Sequence, residues 1–322
     1  MHPHVSTASP RRSNPGSPEE GLLVRCWGVR GSVAVPGPTT VRYGGNTSCV
    51  EVRCGREIVI LDAGTGIREL GKALVREFDR RAGRVWLLIT HTHWDHIQGF
   101  PFFAPAYLRR HRIRILGWRG SRAGLQRTVA AAVESPFFPV ALPQMPGAIT
   151  VEELKSFEFR LGRLRARAAL INHPGGGVAF RLDTPHGVLA YVPDHEVPCP
   201  QALALARGPA SRTRPGWAPG DAHDLAMRAL ITRADILIHD AQYTAEEYRA
   251  RIGWGHSCIE AVVRLAAATG VRRLVLFHHD PDREDAEVDR MQTHARRLAA
   301  ELNPQLVVDA AREGLTFRLR RS

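Results

Sequence analysis

The 322-residue sequence has few cysteines and no long apolar run, and each shortage excludes a class of protein. No apolar stretch approaches the ~20 residues that a membrane-spanning helix needs. The five cysteines are scattered without C-x-x-C spacing, which favours reduced thiols over a disulfide framework or a cysteine zinc site. The sequence also lacks the G-x-S-x-G motif of a serine nucleophile elbow. The composition is otherwise that of an ordinary globular protein, with 44% hydrophobic and 24% charged residues.

Lysine is nearly absent, although the formal net charge is +12. A basic chain is a candidate for nucleic-acid binding, because lysine and arginine neutralise phosphates. Of the 44 basic residues, however, only Lys72 and Lys155 are lysines, and the arginines are spread along the whole chain. This distribution indicates a compositional bias towards arginine and an anion-friendly surface more than a nucleic-acid groove.

The ends and one internal segment differ in composition from the rest. Residues 1–22 are polar and contain no apolar core of a secretory signal, so we expect a disordered leader and a cytoplasmic protein. Residues 23–322 are expected to form one domain. Within it, residues 198–220 are rich in proline and glycine and are predicted to form a surface excursion.

Apolar periodicity predicts strands and helices that alternate along the chain. Short β-rich runs precede residue 62, and GIRELGKALVREFD then has apolar residues at helical intervals. The next run, VWLLIT, is a buried strand that ends directly before His91. Strands are also predicted at 112–118, 158–160, 166–171, 177–182 and 187–192, and a long helix at about 284–302. Near His256, the S-x-x-E spacing of Ser257 and Glu260 predicts a capping box at a helix start.

The densest chemistry lies in ITHTHWDH, residues 89–96, at the carboxyl end of a predicted strand. Imidazole and carboxylate groups are ligands that a divalent metal such as zinc prefers. Side chains so close in sequence cannot all reach one tetrahedral centre without strain. We therefore expect two metals, one bound by His91 and His93 and the other by Asp95 and His96.

This loop, followed by Gly99, resembles the signature of the metallo-β-lactamase superfamily of hydrolases. Further motifs agree in order, namely ILDAGTG with Asp62, INHPGG with His173, YVPDHE with Asp194 and LVLFHHD with His278. The resemblance covers roughly residues 24–310. It implies an α/β fold with four layers, an αββα sandwich in which two mixed β-sheets are flanked by helices.

The resemblance also implies the full ligand set of two metal ions. One ion is held by His91, His93 and His173, the other by Asp95, His96 and His278, and Asp194 bridges them. The expected ions are Zn²⁺, with Mn²⁺ or iron as alternatives. Such a pair lowers the pKa of a bridging water from 15.7 towards ~7, so the implied nucleophile is a metal-bridging hydroxide. Asp95 counts among the catalytic residues as well as among the ligands.

Two later motifs, IHDAQY and WGHSCIEAV, resemble the ribonuclease Z and cyclic-phosphate phosphodiesterase branch. By that resemblance Asp240 orients His256, and His256 acts as a general acid or contacts a phosphate oxygen. Cys258 departs from the small hydroxyl residue usual at its position. Only 21 positions separate His173 from Asp194, which leaves no room there for the arm with which ribonuclease Z grips tRNA.

We therefore expect a dinuclear metal-dependent phosphodiesterase that acts on a small or nucleotide-like phosphodiester, cyclic substrates included. Several alternatives stay open: an RNA endonuclease of the ribonuclease Z kind without the arm, a hydrolase of carboxylic esters, thioesters or lactams, and a metal-stabilised binding module. An oxidoreductase of the flavo-diiron kind is disfavoured, because its members typically have glutamate where His93 stands. RNA remains an open partner, a homodimer is an open expectation, and no membrane partner is expected.

Other residues have both a structural and a functional interpretation, and the structural one is favoured for two groups. Polar residues of a glycine-rich segment either contact phosphate or form a turn: Arg42, Asn46 and Ser48. Aromatic residues after the metal loop either pack in the core or wall the site: Phe100, Phe102, Phe103 and Tyr107. Two further histidines, His195 and His239, are candidate partners of the metal ligands.

Overall fold

A computed structural model describes residues 21–118, 124–134, 138–199 and 218–320. The predicted leader and most of the predicted excursion, at positions 1–20 and 200–217, lie outside the described residues. The predictions for these two segments therefore stay predictions. The first strand begins at Leu22, one residue before the expected start of the domain.

Helices and strands alternate through the described chain much as the apolar pattern predicts. The helices are α1 (Ile67–Phe78), α2 (Trp94–Ile97), α3 (Leu125–Ala131), α4 (Ala222–Ile231), α5 (Ala245–Tyr248), α6 (Ile259–Ala268) and α7 (Asp285–Leu302). The strands are β1 (Leu22–Gly28), β2 (Cys49–Cys54), β3 (Glu57–Leu61), β4 (Arg84–Ile89), β5 (Arg112–Gly117), β6 (Ala148–Glu153), β7 (Glu158–Leu161), β8 (Leu164–Leu170), β9 (Val178–Thr184), β10 (Gly187–Val192), β11 (Ile236–Asp240), β12 (Arg273–Phe277), β13 (Val307–Ala310) and β14 (Thr316–Leu319). The strand β6 was not predicted, because its largely exposed residues carry little apolar signal.

The strands form two mixed sheets of seven. One has the order β14-β1-β2-β3-β4-β5-β6, and the other has the order β13-β12-β11-β10-β9-β8-β7. In the first sheet β3 to β6 run parallel, and in the second sheet β10 to β13 run parallel. The remaining neighbours are antiparallel.

Both faces of each sheet are buried, which gives the fold four layers. In β4, Trp86 and Leu88 face a core between the two sheets, whereas Val85 and Leu87 face a second core beneath α1 and α3. The second sheet packs its outer face against α4, α6 and α7. Period-two alternation of side chains produces this arrangement when helices cover both outer faces. The predicted αββα sandwich is confirmed. Among the described residues, no helix is both long and apolar enough to cross a bilayer.

The topology brings four loops to one edge of the sandwich. Loops that follow parallel strands leave the same edge of a sheet. The metal loop follows β4 in one sheet, and loops after β8, β10 and β12 leave the other sheet on the same side. This edge is where the predicted site residues meet.

The predicted capping box near His256 is wrong. The N-cap residue of α6 is Cys258, with no side-chain hydrogen bond at the cap. Ser257 Oγ instead donates to the backbone oxygen of His195 at 2.5 Å, so the hydroxyl joins two loops. His256 consequently lies two residues before the N-cap, in a loop fixed by tertiary contacts.

The packing of α1 on the first sheet yields a stability prediction. Leu70 is fully buried in the core beneath α1, whereas Leu302 at the end of α7 is 40% exposed. We expect Leu70→Ala to lower the free energy of unfolding by about 2–5 kcal/mol, because the cavity has no neighbour free to fill it. Urea denaturation with Leu302→Ala as the matched control measures this. Equal effects of the two substitutions would contradict the assigned core.

Candidate metal centre

The seven predicted ligands lie together in two adjacent groups. The first is His91, His93 and His173, and the second is Asp95, His96, Asp194 and His278. Within each group the ligand atoms all lie within 4.8 Å of one another. All except the exposed His93 are buried. The structure thus brings together residues that are up to 187 positions apart in the chain.

Asp194 lies between the two groups. Its Oδ1 is 3.0 Å from His96 Nε2 and 3.3 Å from His278 Nε2. Its Oδ2 is 3.6 Å from His91 Nε2 and 3.7 Å from His173 Nε2. Each carboxylate oxygen therefore faces a different group, which is the position required of a bridging ligand.

Unpartnered atoms at the centre test whether the residues fit a metal pair. His91 Nε2, His96 Nε2 and Asp194 Oδ1 are buried and make no hydrogen bond within the described structure. Buried polar atoms are rarely left without partners, and these nitrogen and oxygen atoms are ligands of the zinc type. His173 Nε2 also lies 2.9 Å from His93 Nδ1, so two ring nitrogens face one point. The donor set therefore fits two divalent cations.

The opposite ring nitrogens of the buried histidines are held by the protein. His96 Nδ1 donates to Asp62 Oδ2 at 2.8 Å, and His173 Nδ1 donates to the backbone oxygen of Gly255 at 3.0 Å. A proton on Nδ1 leaves the lone pair on Nε2, which points into the centre. Such contacts fix the ring orientation and tautomer of metal-binding histidines.

Asp62 is the anchor of this inner arrangement. It is fully buried and accepts hydrogen bonds from Thr90 N at 2.8 Å and from Tyr191 Oη at 3.0 Å, besides that from His96. Its backbone φ of +61° lies in the left-handed region, which non-glycine residues seldom adopt. The hydrogen bonds to Asp62 hold this backbone conformation. Asp62 orients the ligand His96 and is not a member of either ligand group.

Burial and charge set the protonation of the ligands. Burial lowers the pKa of His91 well below its ordinary value and that of His173 to about 4, so both imidazoles are neutral at neutral pH. Burial alone would raise the pKa of Asp194, but the rings of His278 and His96 hold it well below the ordinary value. Burial opposes protonation of His96, but the carboxylates of Asp194 and Asp95 outweigh it and raise the pKa of His96, so this ring must lose a proton when a cation binds. Neutral imidazoles and an ionised carboxylate are the forms that bind cations.

His256 and Asp240 form a second polar pair beside the two ligand groups. His256 Nδ1 donates to Asp240 Oδ2 at 2.9 Å. The His256 ring stacks on His278 with centroids 4.9 Å apart, and it lies 5.2 Å from the ring of His173. Burial opposes protonation, but the Asp240 carboxylate outweighs it and raises the pKa of His256 to about 9. His256 thus adjoins both ligand groups, and Asp240 lies against its Nδ1.

Glu196 is a residue of the site that sequence reasoning missed. Its buried carboxylate accepts from Gly253 N at 2.8 Å, from Gly255 N at 2.9 Å and from Tyr248 Oη at 2.6 Å. These bonds fix the loop that leads into His256. The position of Glu196 two residues after a predicted ligand was the available signal, but spacing alone does not reveal such a contact.

Ser32 and Gly31 were also missed. Ser32 N donates to Asp95 Oδ2 at 2.8 Å, and Ser32 has a φ of +62°. A Cβ added at Gly31 would overlap the ring of His278. The segment after β1 therefore positions two ligands of the second group.

The glycine-rich segment around residue 42 is a structural turn, as favoured. Arg42 Nη2 donates to Asp289 Oδ2 at 2.6 Å, and Asn46 N donates to Glu313 Oε1 at 2.8 Å. Ser48 is fully buried and its hydroxyl has no partner among the described residues.

The aromatic segment after the metal loop divides between core and surface. Phe100 and Phe103 are buried in the core beneath α1, as favoured. Tyr107 packs against that core and donates through Oη to Pro101 O at 2.6 Å. Phe102 is 57% exposed, so it is the member of the set that does not pack in the core.

The remaining candidate histidines hold backbone beside the site. His195 Nδ1 accepts from Asn172 N at 2.9 Å, next to the ligand His173 in the chain. His239 Nδ1 donates to the backbone oxygen of Asp240 at 2.7 Å. Neither ring is a member of the two ligand groups.

Comparison with known proteins places this geometry in a family. Residues 57–279 match the family model described as "Beta-lactamase superfamily domain". Ribonuclease Z of Pyrococcus horikoshii is 25% identical over 261 residues, which cover 73% of this chain and 81% of that protein. The metallo-beta-lactamase fold protein YhfI from Bacillus subtilis has a TM-score of 0.62 at 16% identity and covers 92% of this chain and 99% of its own. The short form of human tRNase Z has a TM-score of 0.59 at 19% identity, and the match covers 92% of this chain and 98% of that chain.

The close approach of Gly31 to His278 yields a prediction about one ligand group. We expect Gly31→Ala to displace the ring of His278 and to weaken metal binding by the group that contains Asp95. Metal analysis of the purified protein should show a loss of about half of the bound metal. The matched control is Gly37→Ala, since the nearest atom to a Cβ there is Thr40 Oγ1 at 3.9 Å. An unchanged metal content in Gly31→Ala would argue against His278 as a ligand.

The anchor Asp62 yields a second prediction. Asn tolerates the left-handed backbone, so Asp62→Asn should fold while losing the charge that orients His96. Metal affinity should fall roughly 10–100-fold, as for other changes to groups that orient ligands. Competition with a chelator measures it, and Asp289→Asn is the control, because Asp289 is ion-paired at the surface. Equal affinities for the two variants would contradict the role assigned to Asp62.

Proposed function

The chain belongs to the beta-lactamase superfamily, and we propose that it is a dinuclear metal-dependent phosphodiesterase acting on small or nucleotide-like phosphodiesters. The observation that carries the proposal is the buried pair His256 and Asp240 beside both ligand groups. Such a pair supplies a proton donor in addition to the metal ligands. The loss of an alkoxide from a phosphodiester needs that donor.

We assign each ligand group one cation, with Asp194 shared. The ligands of the first are His91, His93 and His173, and those of the second are Asp95, His96 and His278. The histidine-rich set favours zinc over manganese or iron. When bound, two such cations supply Lewis acidity, which generates hydroxide at neutral pH and offsets negative charge in the transition state.

His256 is assigned the role of general acid. Its Nδ1 is occupied by Asp240, so its Nε2 is the ring atom left to donate a proton to the departing oxygen. Asp240 is held in turn by Gln242 N at 3.0 Å and by Ser257 N at 3.3 Å, which keeps its carboxylate fixed behind the ring. Asp240 thus sets both the orientation and the charge of His256.

The chain between His173 and Asp194 supports a small substrate. These residues are all described, and they contain only β9, β10 and the turns beside them. A segment able to grip a large RNA is therefore not inserted at this point. The relative named ribonuclease Z keeps an RNA endonuclease as the second candidate, with the same two cations and the same acid.

Three finer expectations stay predictions. They are the zinc identity of the ions, the assembly into a homodimer and the cytoplasmic location. A leader and a single domain are likewise proposed from composition, but Leu22, the last residue of the leader predicted at residues 1–22, belongs to β1.

The test of the function compares two histidine variants. The purified protein should hydrolyse bis(p-nitrophenyl) phosphate, and EDTA should abolish the activity. For adenylyl-adenosine, whose alkoxide leaving group needs a proton, His256→Ala should lower kcat/KM by roughly 10²–10⁴-fold with metal content retained, since that is the range for a lost general acid. p-Nitrophenolate leaves without a proton, so the loss on bis(p-nitrophenyl) phosphate should be much smaller. His186→Ala is the control, because His186 lies in the turn between β9 and β10, at the opposite end of β10 from the centre.

Two outcomes would oppose the proposal. A protein that binds two metals yet leaves every phosphodiester intact is not a phosphodiesterase, and a panel of thioesters and lactams would then identify the alternative. If His256→Ala is as active as His186→Ala, His256 is not the acid.

A further inference from the structure

A cleft of about 630 Å³ opens beside His256, and the chemistry above does not use most of its walls. His256 lines the cleft and also adjoins both ligand groups. The cleft is therefore open to the leaving group of a substrate whose phosphate lies at the centre. The walls that such a leaving group meets include Gln242, Tyr243, Arg251, Trp254, Asp280 and Asp282.

Gln242 lines this cleft and has a buried acceptor without a partner. Its side chain is 97% buried, and its Nε2 donates to Asp280 Oδ2 at 3.4 Å. If the side-chain amide of Gln242 were rotated by 180°, its oxygen would face the carboxylate of Asp280 and be repelled by it. Asp280 therefore fixes which way this amide points. The result is a buried Oε1 with no hydrogen bond to any described residue. Native proteins rarely leave a buried acceptor unpaired, so this atom indicates a ligand that donates an N–H or O–H group.

Trp254 presents a large ring on a fixed backbone. The side chain is 60% exposed, although the glycines on either side of it are bound by Glu196. Because the backbone that carries the ring is fixed, mainly the side-chain torsions lose freedom when a planar group stacks on it. Base stacking on an aromatic side chain tolerates all bases.

The charged residues of the cleft favour an uncharged ligand over a polyanion. The guanidinium of Arg251 lies 5.0 Å from the ring centroid of Tyr243, and its Nη1 donates to the backbone oxygen of Glu247 at 3.1 Å. Arg251 lines the cleft together with Asp280 and Asp282. One arginine against two aspartates does not attract a polyanion, whereas an uncharged nucleoside meets no repulsion here.

We infer that this cleft is a nucleoside subsite. Trp254 stacks on the base, and Gln242 Oε1 accepts a hydrogen bond from a ribose hydroxyl or from the exocyclic amine of the base. The inference rests on the proposed phosphodiesterase function, because it assigns the leaving group of that reaction. The substrates it selects are small nucleotide phosphodiesters in preference to long RNA.

A binding experiment tests the subsite without turnover. Adenosine is titrated into the purified protein, with and without prior chelation of metals, and binding is followed by ligand-observed NMR. We expect Gln242→Met and Trp254→Ala each to raise the Kd by roughly fivefold or more. Gln305→Met and Phe157→Ala are the matched controls, since both residues are exposed and outside the cleft, and their Kd should stay within about twofold of wild type.

Adenosine analogues identify the group that Gln242 recognises. If the group is a ribose hydroxyl, wild type should bind 2′-deoxyadenosine or 3′-deoxyadenosine more weakly than adenosine. Gln242→Met should bind that analogue and adenosine with the same Kd. If it is the amine, purine riboside shows that pattern instead. For each compound, the effect of the substitution is the Kd of Gln242→Met divided by the Kd of wild type. If this quotient is the same for every analogue as for adenosine, the role assigned to Gln242 is wrong.

Kinetics separate this inference from the proposed function. Gln242→Met should lower kcat/KM for adenylyl-adenosine, and the factor should be at least fivefold larger than the factor for bis(p-nitrophenyl) phosphate. The p-nitrophenyl group has no N–H or O–H group that could donate a hydrogen bond to Gln242. No hydrolysis of either compound refutes the phosphodiesterase, while the adenosine titration still decides the subsite. Hydrolysis of both, with adenosine binding unchanged in Gln242→Met and Trp254→Ala, refutes the subsite alone. A long single-stranded RNA cleaved tenfold better than adenylyl-adenosine would overturn the preference for small substrates.

Discussion

The contact of one buried carboxylate, Asp194, with four histidine rings is the interaction on which the centre depends. An isolated carboxylate is costly to bury, and neutral imidazoles supply little compensating charge, so the two proposed cations would supply it. Asp194 reaches this position because β10 ends at the edge where the loop after β4 leaves the other sheet. The two sheets therefore meet at that edge through the candidate ligands, as well as through the apolar core between them.

The backbone around the centre is held in conformations that the chain would not choose locally. Ser32, Asp62 and His278 all have φ values near +60°, and such residues cost of order 1–3 kcal/mol each. Gly31 and Gly255 have no room for a Cβ, because each lies against the ring of a ligand. Strain and close approach are concentrated where donor atoms must converge. Packing elsewhere in the sandwich compensates for this local cost.

Net charge does not describe the charge of the cleft, because charge acts locally. The chain is basic overall, yet many arginines are paired with carboxylates, as Arg53 is with Glu77 and Arg283 with Glu247. The cleft beside the centre, in contrast, has more carboxylates than guanidinium groups. The total of +12 therefore describes the surface as a whole and does not describe what the cleft binds.

The sequence determined the fold class and the two groups of candidate ligands through the resemblance of its motifs to a known superfamily. Period-two and helical patterns recovered most of the strands and helices, and ITHTHWDH placed four donors within six positions, so both signals are local. Only the tertiary structure decided how Glu196 fixes the loop before His256, why Ser257 does not cap α6, and that Gln242 has a buried oxygen without a partner. These are contacts between residues distant in the chain, and no periodicity or spacing records them. The metal centre was predictable because four of its seven candidate ligands share one short loop and the others lie in recognisable motifs, whereas the cleft beside His256 exists only once several loops meet.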